Sequence, residues 1–173
     1  MGEDRSNTGV IMKITKDPVL DSWELAESDH DSRVVQGGPF VPCKPGRILV
    51  VDDEQSVRSV TIRILRQELG GAYAYDEAAN GKDAVTLFLR EHHKVILLDL
   101  SMPVQDGEQA AHQILDLCAE SQWETPAIIF RTGYAPPGNV RNLVACDPAH
   151  CLLRKPVRNQ TLVRAVRVRL GLD

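Results

Sequence analysis

Five polar side chains stand where apolar segments of this sequence end. Asp52 and Asp53 follow RILVV, Asp99 closes VILLD, Thr132 closes AIIFRT, and Lys155 follows CLLR. Two carboxylates about 4 Å apart repel each other by roughly 4 kcal/mol at an effective dielectric constant near 20. Mg²⁺ removes such repulsion, because it prefers carboxylate oxygens, and it keeps positions for water and phosphate. The residue types therefore predict a site for Mg²⁺ and a phosphoryl group.

Chemistry at phosphorus gives each of these residues an expected role. A carboxylate can attack phosphorus and form an aspartyl phosphate, and Asp99 is the expected nucleophile because it stands alone and central. The adjacent acids Asp52 and Asp53 are the expected metal anchor. Lys155 supplies a point charge suited to phosphate, and Thr132 supplies a hydroxyl donor.

Two glycines fit the same interpretation. Gly107 is expected to let the loop after Asp99 turn before the next helix. Gly133 is expected to leave room beside Thr132 for a phosphoryl group. Both glycines are therefore assigned to the geometry of the site.

The elements that position these residues alternate along the chain. Short apolar runs typical of buried parallel strands occur at RILVVDD, GGAYAYDEA, KVILLDL, PAIIFRT and HCLLRK. Apolar residues at helical spacing follow each run, around residues 57–65, 84–88, 111–118, 140–144 and 162–170. This alternation predicts an α/β fold with a five-stranded parallel sheet and helices on both faces. Ligands of such sheets bind at the carboxyl ends of the strands, so the five polar residues should share one edge.

The N-terminal part of the chain has a different character. Of 173 residues, 43 % are hydrophobic, enough for a core, but residues 1–46 show weak periodicity and end in GGPFVPCKPG, which is punctuated like a linker. We interpret residues 1–46 as a flexible extension, with a short helix around Ser22–Ser28, and residues 47–171 as the folded domain.

Composition excludes several classes of function. The sequence contains no run of 18 apolar residues, so it does not predict a membrane-spanning helix. Its net charge of −4 does not favour binding to nucleic acid. The last helix is basic, but neither interleaved aromatic residues nor a recognised DNA-binding motif accompanies it, which favours a solvated face or an acidic partner. The four cysteines lack metal-ligand spacing and are interpreted as reduced thiols of a cytoplasmic protein.

Four motifs in this order resemble the receiver domain of two-component response regulators. They are VVDDE at 50–54, LLDLSMPVQDG at 97–107, RTG at 131–133 and LRKP at 153–156. The resemblance covers residues 47–170 and implies a flavodoxin-like, doubly wound (βα)5 fold with strand order 2-1-3-4-5. It also implies a phosphoacceptor switch whose partner is a histidine kinase or a phosphotransfer protein.

The resemblance also implies detailed roles. Asp53, Asp99 and the backbone carbonyl of Ser101 would bind Mg²⁺ directly, and Asp52 would act mainly through a water. Lys155 would bridge to the phosphoryl group. Thr132 would move inward and remodel the face formed by helix 4, strand 5 and helix 5, through which an output protein would bind.

Further residues would modulate the switch. Ser101 and Tyr134 occupy positions that affect the lifetime of the phosphoryl group, and Gly133 lies between Thr132 and Tyr134. Leu152 stands where the family often has an aromatic residue, so coupling through an aromatic rotamer is not expected. Arg131 stands where family strands are usually apolar. It could line the phosphate site or face solvent, and we expect it to face solvent.

Alternative functions remain open at this point. A pseudo-receiver would bind partners without phosphorylation. A Mg²⁺-dependent phosphatase would also use an aspartyl nucleophile, but its usual second acid would fall at Ser101. We therefore expect no enzyme activity beyond self-phosphorylation and autodephosphorylation. Because no effector domain follows the last helix, we expect output through another protein, or a chain that is one piece of a larger one.

Overall fold

A computed structural model describes residues 40–172. The expected flexible extension lies outside the described residues over its first 39 positions, and so does the short helix expected around Ser22–Ser28. The described part alternates strictly between strands and helices. In chain order its elements are β1 (Lys44–Val51), α1 (Gln55–Leu69), β2 (Ala74–Ala78), α2 (Gly81–Glu91), β3 (His93–Asp99), α3 (Gly107–Ser121), β4 (Ala127–Thr132), α4 (Gly138–Cys146), β5 (Cys151–Arg154) and α5 (Asn159–Leu170).

The strands form one parallel sheet in the order β2-β1-β3-β4-β5. The predicted α/β class, the five parallel strands and the flavodoxin-like strand order are confirmed. Because β1 lies between β2 and β3, the carboxyl ends of β1 and β3 are adjacent. Residues that follow these two strands are therefore brought together.

Alternating side chains of the central strands divide the core into two layers. On one face, Leu49, Ile96 and Phe130 belong to a buried cluster with residues of α2, α3 and α4. On the other face, Val50, Leu97 and Ile129 belong to a cluster with residues of α1 and α5. Because side chains on both faces of the sheet are buried, the sequences of the central strands are nearly continuous apolar runs.

The first strand begins earlier than the sequence indicated. β1 starts at Lys44, so residues 44–46 of the expected linker belong to the sheet. Val41 forms a bridge with Trp123, and the backbone N–H of Cys43 donates to Glu124 at 2.8 Å. The Pro and Gly residues of this segment therefore do not separate it from the domain. Within the described residues, no helix has the length and hydropathy needed to cross a membrane.

Candidate functional site

The five predicted site residues lie at the carboxyl edge of the sheet. Asp52 and Asp53 follow β1, Asp99 is the last residue of β3, Thr132 is the last residue of β4, and Lys155 follows β5. The Lys155–Pro156 peptide bond is cis. The backbone N–H of Lys155 donates to the carbonyl of Thr132 at 2.7 Å, which holds the lysine beside β4.

Lys155 bridges two of the three carboxylates. Its Nζ lies 2.7 Å from Oδ2 of Asp99 and 3.1 Å from Oδ2 of Asp52. Burial disfavours the charged ammonium, but the hydrogen bonds to Asp99 and Asp52 outweigh this effect and raise the pKa of Lys155 above its ordinary value. The ammonium is therefore charged at neutral pH and partly neutralises the acidic edge.

The three carboxylates fit a hard divalent cation. Asp52, Asp53 and Asp99 each offer an oxygen, and these atoms all lie within 4.8 Å of one another. In an octahedral Mg²⁺ site with bonds of about 2.1 Å, opposite ligands lie about 4 Å apart. Neighbouring ligands in such a site lie about 3 Å apart, so the acidic oxygens would move closer together around a bound ion. The set of carboxylate oxygens suits Mg²⁺ in its chemistry.

The two adjacent acids differ in their surroundings. Asp52 is fully buried; its Oδ1 accepts the backbone N–H of Glu54 at 3.1 Å, and its Oδ2 accepts from Lys155 and from Arg131. Asp53 is exposed, and within residues 40–172 its carboxylate has no hydrogen bond or ion pair. The free carboxylate of Asp53 suits direct contact with a metal, whereas Asp52 already holds two cations.

The expectation that Arg131 faces solvent is wrong. Arg131 is 4 % exposed, and its guanidinium forms a buried ion pair with Asp52. It lies in β4 between β3 and β5, and the sheet is covered on both faces, so no side chain of this strand reaches solvent freely. An interior strand of a sheet covered on both faces therefore holds even a charged side chain away from solvent.

A second basic residue at this edge was not predicted. Arg58 of α1 donates from Nη1 to the carbonyl oxygens of Asp52 at 2.8 Å and Asp53 at 3.2 Å, and its Nε lies 3.2 Å from Glu77. These contacts fix the backbone that carries the acidic pair. The only feature of the sequence that indicated a contact between Arg58 and the acidic pair was its position one turn into the first helix.

Thr132 is held by its own loop. Its side chain is buried, and Oγ1 lies 3.1 Å from both the carbonyl oxygen and the N–H of Tyr134. To donate to a phosphoryl oxygen, the hydroxyl would have to give up the bond to the Tyr134 carbonyl. Tyr134 itself is 76 % exposed. A Cβ at Gly133 would meet no atom within 4 Å, so this glycine borders open space.

The loop from β3 to α3 begins directly after Asp99. Ser101 is exposed, and its N–H points to Asp99 at 3.4 Å, a long distance for a hydrogen bond. Asp106 caps α3 by accepting the N–H of Gln109 at 2.8 Å.

Gly107 was expected to let the loop turn, but the structure gives a different reason for a glycine here. Its backbone is not in the left-handed region. A Cβ at this position would lie 2.0 Å from the carbonyl oxygen of Asp99. Gly107 is required for close approach.

Leu152 lies away from these polar groups. It is partly buried and packs against the core layer that includes residues of α2, α3 and α4. Its aliphatic side chain has no ring to rotate between a buried and an exposed position. The prediction that this chain lacks aromatic-rotamer coupling stays a prediction.

Comparison with known proteins supports the resemblance to response regulator receiver domains. A sequence model described as the response regulator receiver domain matches residues 48–167. The positive alginate biosynthesis regulatory protein of Pseudomonas aeruginosa is 32 % identical over 120 residues, 69 % of this chain and 45 % of that protein. The transcriptional regulatory protein ResD of Bacillus subtilis is 44 % identical over 68 residues, 39 % of this chain and 27 % of that protein.

Solved structures share the fold. A CheY-like response regulator receiver domain protein from Methanospirillum hungatei superposes with a TM-score of 0.61 at 24 % identity, covering 72 % of this chain and 93 % of that one. The chain spans less than half of the curated relatives named above, whose matched portions are 27 % and 45 % of their lengths.

Proposed function

The chain belongs to the response regulator receiver family, and from this premise we propose that it is a phosphoacceptor switch that receives its phosphoryl group on Asp99. Receiver domains act in two-component systems, in which response regulators interact with histidine kinases and output proteins. Here the donor would be a phosphohistidine of a kinase or a phosphotransfer protein. The observation that supports the proposal most directly is the Lys155 ammonium 2.7 Å from Asp99, beside two further carboxylates.

The proposed transfer uses groups already in place. A carboxylate oxygen of Asp99 attacks phosphorus, an O–P bond forms, and the P–N bond to the donor imidazole breaks. The imidazole leaves with the electron pair and takes up a proton. Lys155 neutralises charge on the phosphoryl oxygens, and Thr132 donates its hydroxyl to one of them after releasing Tyr134.

Receiver domains bind Mg²⁺ at an acidic pocket. Here Asp53, Asp99 and the backbone carbonyl of Ser101 would hold it directly, with Asp52 acting through a water. When bound, the ion offsets the negative charge that develops at phosphorus. Asp53 is the best placed of the acids for direct contact, because its carboxylate is exposed and makes no bond within the described residues.

We propose that output uses the face of α4, β5 and α5. β5 is an edge strand without a fully buried residue, and α4 buries only Val140 fully. Such lightly packed elements can change position at low cost, and Thr132 adjoins them. The cysteines Cys43, Cys118, Cys146 and Cys151 are all free thiols, which agrees with a cytoplasmic location.

The test is intact mass after incubation with acetyl phosphate and Mg²⁺. We expect the unaltered protein to gain one phosphoryl group, and Asp99→Asn, which keeps the shape of the side chain, to gain none. Asp106→Asn is the matched control, because asparagine also caps helices and Asp106 lies in the same loop; it should be phosphorylated normally.

A phosphorylation-independent receiver is the second candidate. The buried pair of Arg131 and Asp52 favours it, because one acid of the site is already engaged by a cation. A folded protein that gains no phosphoryl group from acetyl phosphate, in the presence of Mg²⁺, would replace the switch proposal with this candidate. Turnover of a generic phosphomonoester would instead support the aspartyl phosphatase.

A further inference from the structure

Arg131 is a buried cation inside the acidic edge. Along β4, Ala127 and Ile129 pack on the layer covered by α1 and α5, whereas Ile128 and Phe130 pack on the opposite layer. Strand alternation places Arg131 on the first of these faces. Its guanidinium therefore lies beneath α1, next to the residues that follow β1.

The guanidinium contacts two residues through its Nη atoms, whereas its Nε is unsatisfied. Nη2 donates to Oδ2 of Asp52, and Nη1 donates to Oγ1 of Thr61 at 3.2 Å. Thr61 is a buried residue of α1. Nε of Arg131 is buried and has no hydrogen-bond partner within residues 40–172. A buried donor without a hydrogen-bond partner is uncommon in folded proteins and calls for an explanation.

The charge balance at the edge depends on this residue. Three carboxylates, Asp52, Asp53 and Asp99, face the side-chain cations Arg131 and Lys155. The nearby cation of Arg58 is offset by its ion pair with Glu77, so the net charge of the edge is −1. Without Arg131 the net charge would be −2. A divalent ion bound among these carboxylates would lie close to the guanidinium, and like charges at such distances repel strongly in a partly buried site.

We propose that Arg131 is a positioning residue that competes with the divalent ion for Asp52 and so lowers the affinity of the acidic cluster for that ion. The inference rests on the proposed function, because it concerns the same site. The ion and Arg131 then both draw on the charge of Asp52, the ion through a water and Arg131 through its direct ion pair.

The test measures Mg²⁺ affinity, not phosphorylation. Isothermal titration of Mg²⁺ compares the unaltered protein with Arg131→Met, which removes the charge but keeps a long apolar side chain, and with Arg131→Lys, which keeps the charge. We expect Arg131→Met to bind Mg²⁺ about 10-fold more tightly or better. Arg131→Lys should stay within about 3-fold of the unaltered protein.

A second measurement needs no folded Met variant. In the unaltered full chain, the ¹⁵N–¹H resonance of Arg131 Nε, assigned by its loss in Arg131→Lys, should shift in a saturable way as Mg²⁺ is added. Thermal melts provide a third readout: Mg²⁺ should raise the melting temperature of Arg131→Met more than that of the unaltered protein.

The outcomes separate the two proposals. Mg²⁺ binding of equal or lower affinity in folded Arg131→Met, or binding to the unaltered protein without any shift at Arg131, would overturn the competition and leave the phosphoacceptor proposal intact. No Mg²⁺ binding by either protein would overturn the metal site and the competition together. Tighter binding by Arg131→Met with the resonance shift would establish Arg131 as the competing cation.

Discussion

Replacing Gly107 with alanine should damage both the fold and the site, because the new methyl group has no space. Its Cβ would lie 2.0 Å from the carbonyl oxygen of Asp99 and 3.0 Å from Cα of Leu100, whereas ordinary contacts begin at 3.4 Å. The methyl and the oxygen must separate by about 1.4 Å, and both belong to backbone that cannot rotate away. We expect the free energy of unfolding to fall by about 3 kcal/mol or more.

The displacement would also reach the site. The backbone N–H of Gly107 donates to Leu100 at 3.2 Å, and the Asp99 carboxylate lies 2.7 Å from Lys155. The shift of the Asp99 backbone that is needed to accommodate the new methyl group would lengthen and weaken this ion pair. We therefore expect slower phosphorylation by acetyl phosphate in whatever fraction of Gly107→Ala remains folded.

Urea denaturation followed by circular dichroism measures the stability effect, and Gly138→Ala is the matched control. Gly138 is likewise the first residue of a helix, α4, but a Cβ there meets no atom within 4 Å. That variant should change the unfolding free energy by less than about 1 kcal/mol. If the two alanine variants unfold at the same urea concentration, the close approach of Gly107 to Asp99 does not exist in solution.

Two further predictions concern a strained loop residue and a buried histidine. Val104 has a φ of 69° and is 81 % exposed, so Val104→Asn should stabilise the protein by about 1 kcal/mol in urea denaturation, because asparagine tolerates the left-handed conformation. His150 is buried, and burial lowers its pKa below the ordinary value of 6.5; its Nδ1 also accepts the N–H of Ile128 at 3.2 Å, which requires an unprotonated nitrogen. The unfolded state therefore binds more protons, so stability should be lost as pH falls below 6.5, and His150→Asn should flatten this loss between pH 7 and pH 5.

Each of these predictions has a clear contrary result. A destabilised Val104→Asn would mean that the valine makes a packing contact or does not have a positive φ. Parallel pH profiles for His150→Asn and the unaltered protein would mean that His150 does not contribute to the loss of stability at low pH, which would then come from other groups such as His92 and His93, whose pKa values burial also lowers. Measurements across the pH range should use one salt concentration, since surface ion pairs change with ionic strength.

The sequence was most informative where burial on both faces of the sheet made strands into continuous apolar runs. β3 and β4 were recognisable for this reason, and the polar residues at their ends, Asp99 and Thr132, marked the site edge. It was least informative where a charged residue is paired inside the core. Arg131 has a polar side chain and interrupts an apolar run, so residue type alone suggested solvent, whereas its partner Asp52 is distant along the chain.

Other differences have similar physical reasons. Pro and Gly around Lys44 suggested a linker, but β1 extends beyond its neighbour β2, and a bridge and hydrogen bonds hold the residues before it. The sequence indicated that the loop after Asp99 uses a glycine at position 107. It did not indicate that a side chain there would clash with the Asp99 carbonyl oxygen. Close approach between two backbone segments depends on how α3 meets β3, and this is a property of the folded chain.

The strand order has a consequence for how the site comes together as the chain is made. β1, β2 and β3 are the first three strands along the chain and are neighbours in the sheet, so they can pair before β4 and β5 emerge. That partial sheet already collects Asp52, Asp53 and Asp99 at one end, yet both compensating side chains, Arg131 and Lys155, arrive with the last two strands. We therefore expect the unbalanced negative charge of this partial sheet to attract β4 and β5, so that the acidic edge contributes to its own assembly.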